Sequence, residues 1–206
     1  ESEMGSYKTK KTTIISQLIL TFLAIIFSLP NLKFFNLSRN KNELNIFCEK
    51  NGIPCPKSIS EKDFESKKID FPIIVKPKNG SGSKGISFVH NEQQVNKINI
   101  DFKRDFLQEL LPNARNVEAG FYFCKNGKII SFYSHKRIRT YPESGGVSVF
   151  SEFLIDEEIR KSGIKIIKKL NWSGLVMIEY IFDKRDKQYK LIEINPRLWG
   201  SILLSE

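Results

Sequence analysis

The residues best suited to chemistry in this chain are two glutamates and an asparagine near its C-terminal end. Glu179 lies in the apolar run LVMIEYIF, and Glu193, Asn195 and Arg197 lie in LIEINPRLWGS. Both runs read as strands, and the polar segment DKRDKQ between them reads as a turn. A hairpin centred on Asp186 sets Glu179 directly opposite Glu193, and strand alternation puts Leu191, Glu193 and Asn195 on one face. Two carboxylates held opposite one another repel. A divalent cation removes that repulsion, and an asparagine oxygen beside them completes an oxygen-only donor set of the kind Mg²⁺ takes together with substrate phosphates. Glu179, Glu193 and Asn195 are therefore the candidate metal ligands, for Mg²⁺ or Mn²⁺ in its place.

The second chemical signal is cationic. Lys76 ends the apolar strand FPIIVKP, where an ammonium is costly unless it meets an anion or reaches solvent. The tip that follows, NGSGSKG from Asn79 to Gly85, lets backbone N–H groups approach phosphate oxygens without side-chain obstruction. It is not a Walker A loop, because Lys84 is followed by Gly and no long helix opens there.

These groups need a scaffold. Residues 41–50, KNELNIFCEK, predict a helix that stops at Asn51-Gly52, after which Pro54 and Pro56 impose an extended path. Residues 71–90 predict a hairpin with the glycine-rich segment at its tip, 92–98 a short helix, and 105–111 a strand or linker. Residues 117–123 and 128–133 predict strands joined at Asn126-Gly127, and 139–146 a loop. Residues 156–170 predict an amphipathic helix capped by Asp156, with Ile159, Ile164, Ile166, Ile167 and Leu170 as its apolar positions. The expected class is α+β, built from antiparallel hairpins with few helices.

Composition narrows the field. In 206 residues, 40% are hydrophobic, 27% are charged and 16 are Phe, which is ordinary for a globular protein. The net charge of +10 comes from scattered lysines rather than a stripe, so no nucleic-acid partner is expected. Cys48, Cys55 and Cys124 are odd in number and lack C-x-x-C spacing, which argues against a disulfide framework and for a reducing, cytoplasmic compartment. Residues 14–29, IISQLILTFLAIIFSL, are apolar nearly all round. As a helix they span about 24 Å against roughly 30 Å of hydrocarbon, which favours a buried helix; a membrane anchor is the alternative.

The four blocks together resemble the ATP-grasp superfamily, in particular carboxylate–amine ligases similar to the ATP-binding halves of carbamoyl phosphate synthase. KNELNIFCEKNGIPCPKS, FPIIVKPKNGSGSKGI, LQELLP with Glu118, and MIEYIF with LIEINPRLWGS follow in the family's order from about residue 40 to 201. The resemblance implies two antiparallel-sheet α+β subdomains clasping ATP, residues 40–115 with the lid and residues 116–206 with the metal hairpin. Residues 1–39 would be a remnant of an N-terminal domain. It also implies roles. Lys41 and Lys76 contact the ATP phosphates, and the lid carries Gly80, Ser81, Gly82, Ser83 and Gly85. Gln108, Glu109 and Leu110 lie along the adenine, and Glu118 holds the ribose. Arg197 stabilises an acyl phosphate or a substrate carboxylate, and Lys136, Arg137 and Arg139 steady the transferring phosphoryl group or the substrate, with a solvated strand the equal alternative for this basic run. The implied reaction uses ATP to activate a small-molecule carboxylate for attack by an amine; a non-catalytic ATP-binding module is the alternative.

Overall fold

The computed structural model describes residues 29–80, 84–141 and 147–197, apart from the side chain of Val147. Two short helices open it, α1 (Leu32–Arg39) and α2 (Lys41–Lys50). Asn40 caps α2 by accepting the N–H groups of Asn42 and Glu43, and Gly52 closes it at φ +62°, a conformation that favours glycine. A small sheet follows, from β1 (Ser58–Ile59), β2 (Ile73–Pro77), β3 (Ser87–Val89) and β4 (Asp105–Glu109), in the order β1-β4-β2-β3. Two single-turn helices, α3 (Glu61–Glu65) and α4 (Glu92–Val95), lie between these strands in sequence. Ile73, Val75, Val89 and Leu107 form the small core, with Phe64 of α3 and Val95 of α4 packed against it.

The larger sheet contains β5 (Val117–Lys125), β6 (Lys128–Tyr141), β7 (Val147–Leu154), β8 (Gly174–Asp183) and β9 (Gln188–Asn195), in the order β7-β6-β5-β8-β9. Helix α5 (Glu157–Lys169) joins β7 to β8. Its N-cap Asp156 accepts the N–H groups of Glu158 and Ile159, its first turn is acidic and its last turn ends in Lys168 and Lys169, each matched to the helix dipole. The pairings in both sheets are antiparallel.

One face of the large sheet is sealed by helices. Ile159, Ile166 and Ile167 of α5 pack with Tyr122, Trp172, Ile178 and Tyr180. Leu44 and Cys48 of α2 join the same core. Helix α2 thus packs with the larger sheet, because its apolar face meets that core. One correction concerns residues 139–146. Strand β6 continues through Tyr141, and β7, not anticipated from the sequence, pairs along it from Val147. Residues 142–146 between them lie outside the described residues, as do residues 14–28 and 81–83. Among the described residues no helix is long and apolar enough to cross a membrane.

The α5 seam is tight at Gly163. A Cβ there would stand 2.2 Å from the Cζ and hydroxyl of Tyr122, whose O–H donates to the Ile159 carbonyl at 2.8 Å. Gly163→Ala therefore forces this helix off the sheet, and a loss of about 1–3 kcal/mol is expected. Urea unfolding of the two proteins checks it; an unchanged midpoint would mean that the Tyr122 ring moves aside freely.

Candidate functional site: a cleft between the two sheets

The uncovered face of the large sheet and the outer face of the small sheet line a common cleft. On the small-sheet side, the two-residue period of β2 puts Ile73 and Val75 in the core and Ile74 and Lys76 in the cleft. Lys76 is 7% exposed, with its Nζ 5.5 Å from the Phe106 ring centroid. Burial lowers its pKa to about 8; the neighbouring Lys41 adds to the shift and Glu193 opposes it. Lys41 is the first residue of α2, and its N–H donates to the Lys78 carbonyl at 2.8 Å, tying the helix to the end of β2. Its Nζ donates to the Gly80 carbonyl at 2.7 Å and lies 3.5 Å from Glu193 Oε1. The lid residues Ser81, Gly82 and Ser83 lie outside the described residues. At its described end, Gly85 has φ +74° and packs so closely on Pro77 that a Cβ would meet Pro77 Cγ at 3.0 Å.

On the large-sheet side, Glu179 does stand opposite Glu193, in a register shared by Met177 and Asn195. Nearer the turn the register shifts, with Tyr180 opposite Leu191. Ile192 is the extra residue of this bulge. The shift corrects the expected alternation: Leu191 packs in the helix-covered core, while Ile192 and Glu193 both line the cleft. Glu179 is 6% exposed; its Oε1 accepts from Arg137 Nη2 at 2.5 Å and from Asn195 Nδ2 at 3.4 Å. Burial raises the Glu179 pKa, with Glu193 adding to the effect and Arg137 and Arg197 opposing it.

The far end of the cleft is apolar. Ile74 and Phe88 of the small sheet face Val117, Ile181 and Ile192 of the large one, leaving a slot suited to a flat aromatic base. Gln108, Glu109 and Leu110 also line the cleft. Their polar groups are largely engaged by the protein. Gln108 Nε2 donates to Asn45 Oδ1 at 2.6 Å, and Glu109 accepts from the Lys57 N–H at 2.9 Å and from Arg185 Nη2 at 2.7 Å.

Three expected site residues fall outside the cleft. Glu118 stands opposite Tyr180 on the helix-covered side of the sheet, where its carboxylate accepts from the Tyr189 hydroxyl at 2.5 Å. Lys136 stands opposite Glu118, on that same side. Arg139 sits at a register irregularity between β6 and β7 and does not line the cleft; Arg137 and Thr140 do. Alternation along β6 makes Arg137 and Lys136 mutually exclusive in the cleft, and the pairing of β5 with β6 selects Arg137. The apolar slot was missed in the sequence although the same alternation signals it: Ile74 and Ile181 each lie two residues from a predicted site residue.

The carboxylate pair fits a divalent cation. Two acids on neighbouring strands and an asparagine amide offer oxygen donors beside Lys41 and Lys76, which suits a Mg²⁺ shared with phosphate oxygens. No group of three or more His, Cys, Asp and Glu side chains able to hold a metal occurs among the described residues.

Two antiparallel sheets closing on a cleft, lysines on one side and paired carboxylates on the other, define the ATP-grasp class. The chain belongs to the family of carbamoyl-phosphate synthase L chain ATP-binding domains, whose profile matches residues 36–206. Acetyl-CoA carboxylase of Dictyostelium discoideum is 24% identical over 169 residues, covering 74% of this chain and 7% of that protein. A D-alanine–D-alanine ligase of Thermoanaerobacter is 27% identical, covering 73% of this chain and 52% of the ligase. The N5-carboxyaminoimidazole ribonucleotide synthetase of Thermotoga maritima superposes with a TM-score of 0.64 at 18% identity, over 84% of this chain and 45% of that one. The chain thus spans about half or less of each of these proteins.

Proposed function

We propose that this chain binds ATP with Mg²⁺ in the inter-sheet cleft and activates a carboxylate as an acyl phosphate for attack by an amine. The observation that carries the reading is the convergence of Lys41 and Lys76 on the carboxylates of Glu179 and Glu193 across one cleft with an apolar slot at its far end. Relatives that include a D-alanine–D-alanine ligase support the acid-plus-amine class.

In this reading the base lies between Ile74, Phe88, Ile181 and Ile192, and Gln108, Glu109 and Leu110 border it. Lys41 and Lys76 meet the phosphates, where the anions offset the burial cost of the Lys76 ammonium. Glu179, Glu193 and Asn195 would hold Mg²⁺, or Mn²⁺ in its place. The metal, when bound, neutralises phosphate charge as the γ-phosphoryl is transferred. A carboxylate oxygen attacks the γ-phosphorus and the bond to the β-bridging oxygen breaks, releasing ADP. The amine then attacks the acyl carbon, loses a proton and displaces phosphate. Arg137, pointing into the cleft beside Glu179, and Arg197 after β9 supply cations toward the transferring group.

The test is ADP and phosphate release by the chain with Mg²⁺, a carboxylate panel and an amine panel. Release that needs both substrates is expected. Tight Mg·ATP binding with no turnover on any pair would leave a nucleotide-binding module and overturn the ligase reading.

A further inference from the structure

The cleft holds two carboxylates, and each already has its own cation. Lys41 Nζ is 3.5 Å from Glu193, and Arg137 Nη2 is 2.5 Å from Glu179. The Arg137 pair is the more deeply buried, with side-chain exposures of 17% for Arg137 and 7% for Glu179. A buried acid beside a second acid needs such compensation, since an unpaired charge there is strongly unfavourable. Arg137 is also incompletely satisfied: its Nε is buried without a hydrogen-bond partner. A guanidinium built only to lock Glu179 in place would present two parallel N–H donors to the carboxylate, fork-to-fork. This one spends a single Nη2 donor on the acid, and its Nε makes no hydrogen bond to it.

We infer that Arg137 is an exchangeable counter-ion for Glu179. It neutralises the acid in the metal-free cleft and disfavours binding of a divalent cation by itself. When metal and nucleotide arrive together, it moves from the carboxylate to the phosphoryl oxygens. This rests on the reading of Glu179, Glu193 and Asn195 as metal ligands. Its consequence is thermodynamic: metal and nucleotide bind cooperatively, because only the nucleotide offers Arg137 a replacement anion. Arg137 acts here as a positioning residue, and binding of the metal, not turnover, reports its role.

Mn²⁺ binding followed by electron paramagnetic resonance, with and without ADP, tests it on the full chain. Wild type is expected to bind Mn²⁺ weakly alone and much more tightly with ADP. Arg137→Gln should bind Mn²⁺ alone about tenfold more tightly than wild type, with a smaller gain on adding ADP. Arg137→Lys, which keeps the charge, should behave like wild type, and so should Lys136→Gln on the other side of the sheet. Arg137→Gln binding Mn²⁺ alone no more tightly than wild type overturns the exchange. In that case Mn·ADP binding by wild type, lost in Glu193→Ala, leaves the metal site standing. Failure of wild type to bind Mn·ADP removes both. Should Arg137→Gln not fold, adding Glu179→Gln to it removes the stranded acid and should restore folding; a double variant that stays unfolded counts against the inference.

Discussion

Glu193→Ala is expected to weaken ATP binding in the presence of Mg²⁺ by about 100-fold or more, and to leave metal-free ATP binding unchanged or slightly tighter. The two arms have opposite causes. With Mg²⁺, the substitution removes one of the two carboxylates proposed to hold the ion, and with it the proposed bridge between protein and phosphates. Without Mg²⁺, it removes a negative charge that lies 3.5 Å from Lys41, in the part of the cleft proposed for the phosphates. The carboxylate that is lost is 26% exposed as a side chain and forms no part of either core, so the fold should survive. Titration calorimetry with ATP, in Mg²⁺ and in EDTA, reads both arms. Equal losses in the two buffers would show that Glu193 acts on the nucleotide directly and is not a metal ligand.

Lys76→Met should have an effect of similar size on binding and the opposite effect on stability. The methionine fills much of the same volume between Ile74 and the Phe106 ring but offers no charge to the phosphates, so ATP affinity should fall by about 100-fold. The empty protein should gain stability at pH 7, because a buried ammonium is replaced by an apolar side chain. The pH dependence fixes the sign. In the folded protein the Lys76 pKa is lowered from 10.5 to about 8, so between these values the unfolded chain carries more protons than the folded one. Stability from this residue therefore rises as pH increases through that window, and the penalty is at full strength below it. A shift of that size corresponds to on the order of 3 kcal/mol. Urea midpoints measured from pH 7 to 10 should climb in wild type relative to Lys76→Met. Phosphates restore the ammonium, so wild-type ATP binding near pH 9 should also take up a proton, visible as a dependence of binding heat on buffer ionisation enthalpy. Parallel midpoint curves for the two proteins would mean that Lys76 reaches solvent in the empty cleft.

Much of this site was legible before any coordinates. Helix α2 and its glycine stop follow from an apolar period closed by Asn51-Gly52, and α5 follows from its cap and its acid-to-base gradient; both are local effects within a turn or two of chain. The opposition of Glu179 and Glu193 was also readable, since a short hairpin leaves little choice of partner. It was obtained with a small error that cancels. The turn pairs Asp183 with Gln188, so the hairpin is centred just before Asp186, and the bulge at Ile192 returns the register to the expected one by the level of Glu193. Leu191, on the turn side of the bulge, shows the error as a side chain on the other face.

What the amino-acid order determined on its own is therefore the inventory and its sequence: a cationic strand end, a glycine-rich tip and an acidic hairpin, each specified by neighbours close along the chain. Tertiary structure alone decided which side chains share the cleft. Glu118 and Arg137 show why. Each sits on a strand whose alternation allows two assignments, and only the packing of α2 and α5 on one side of the large sheet determines which parity faces the other sheet. That choice depends on residues far apart in sequence sharing one core, such as Leu44 and Cys48 with Tyr180, and no local pattern encodes it.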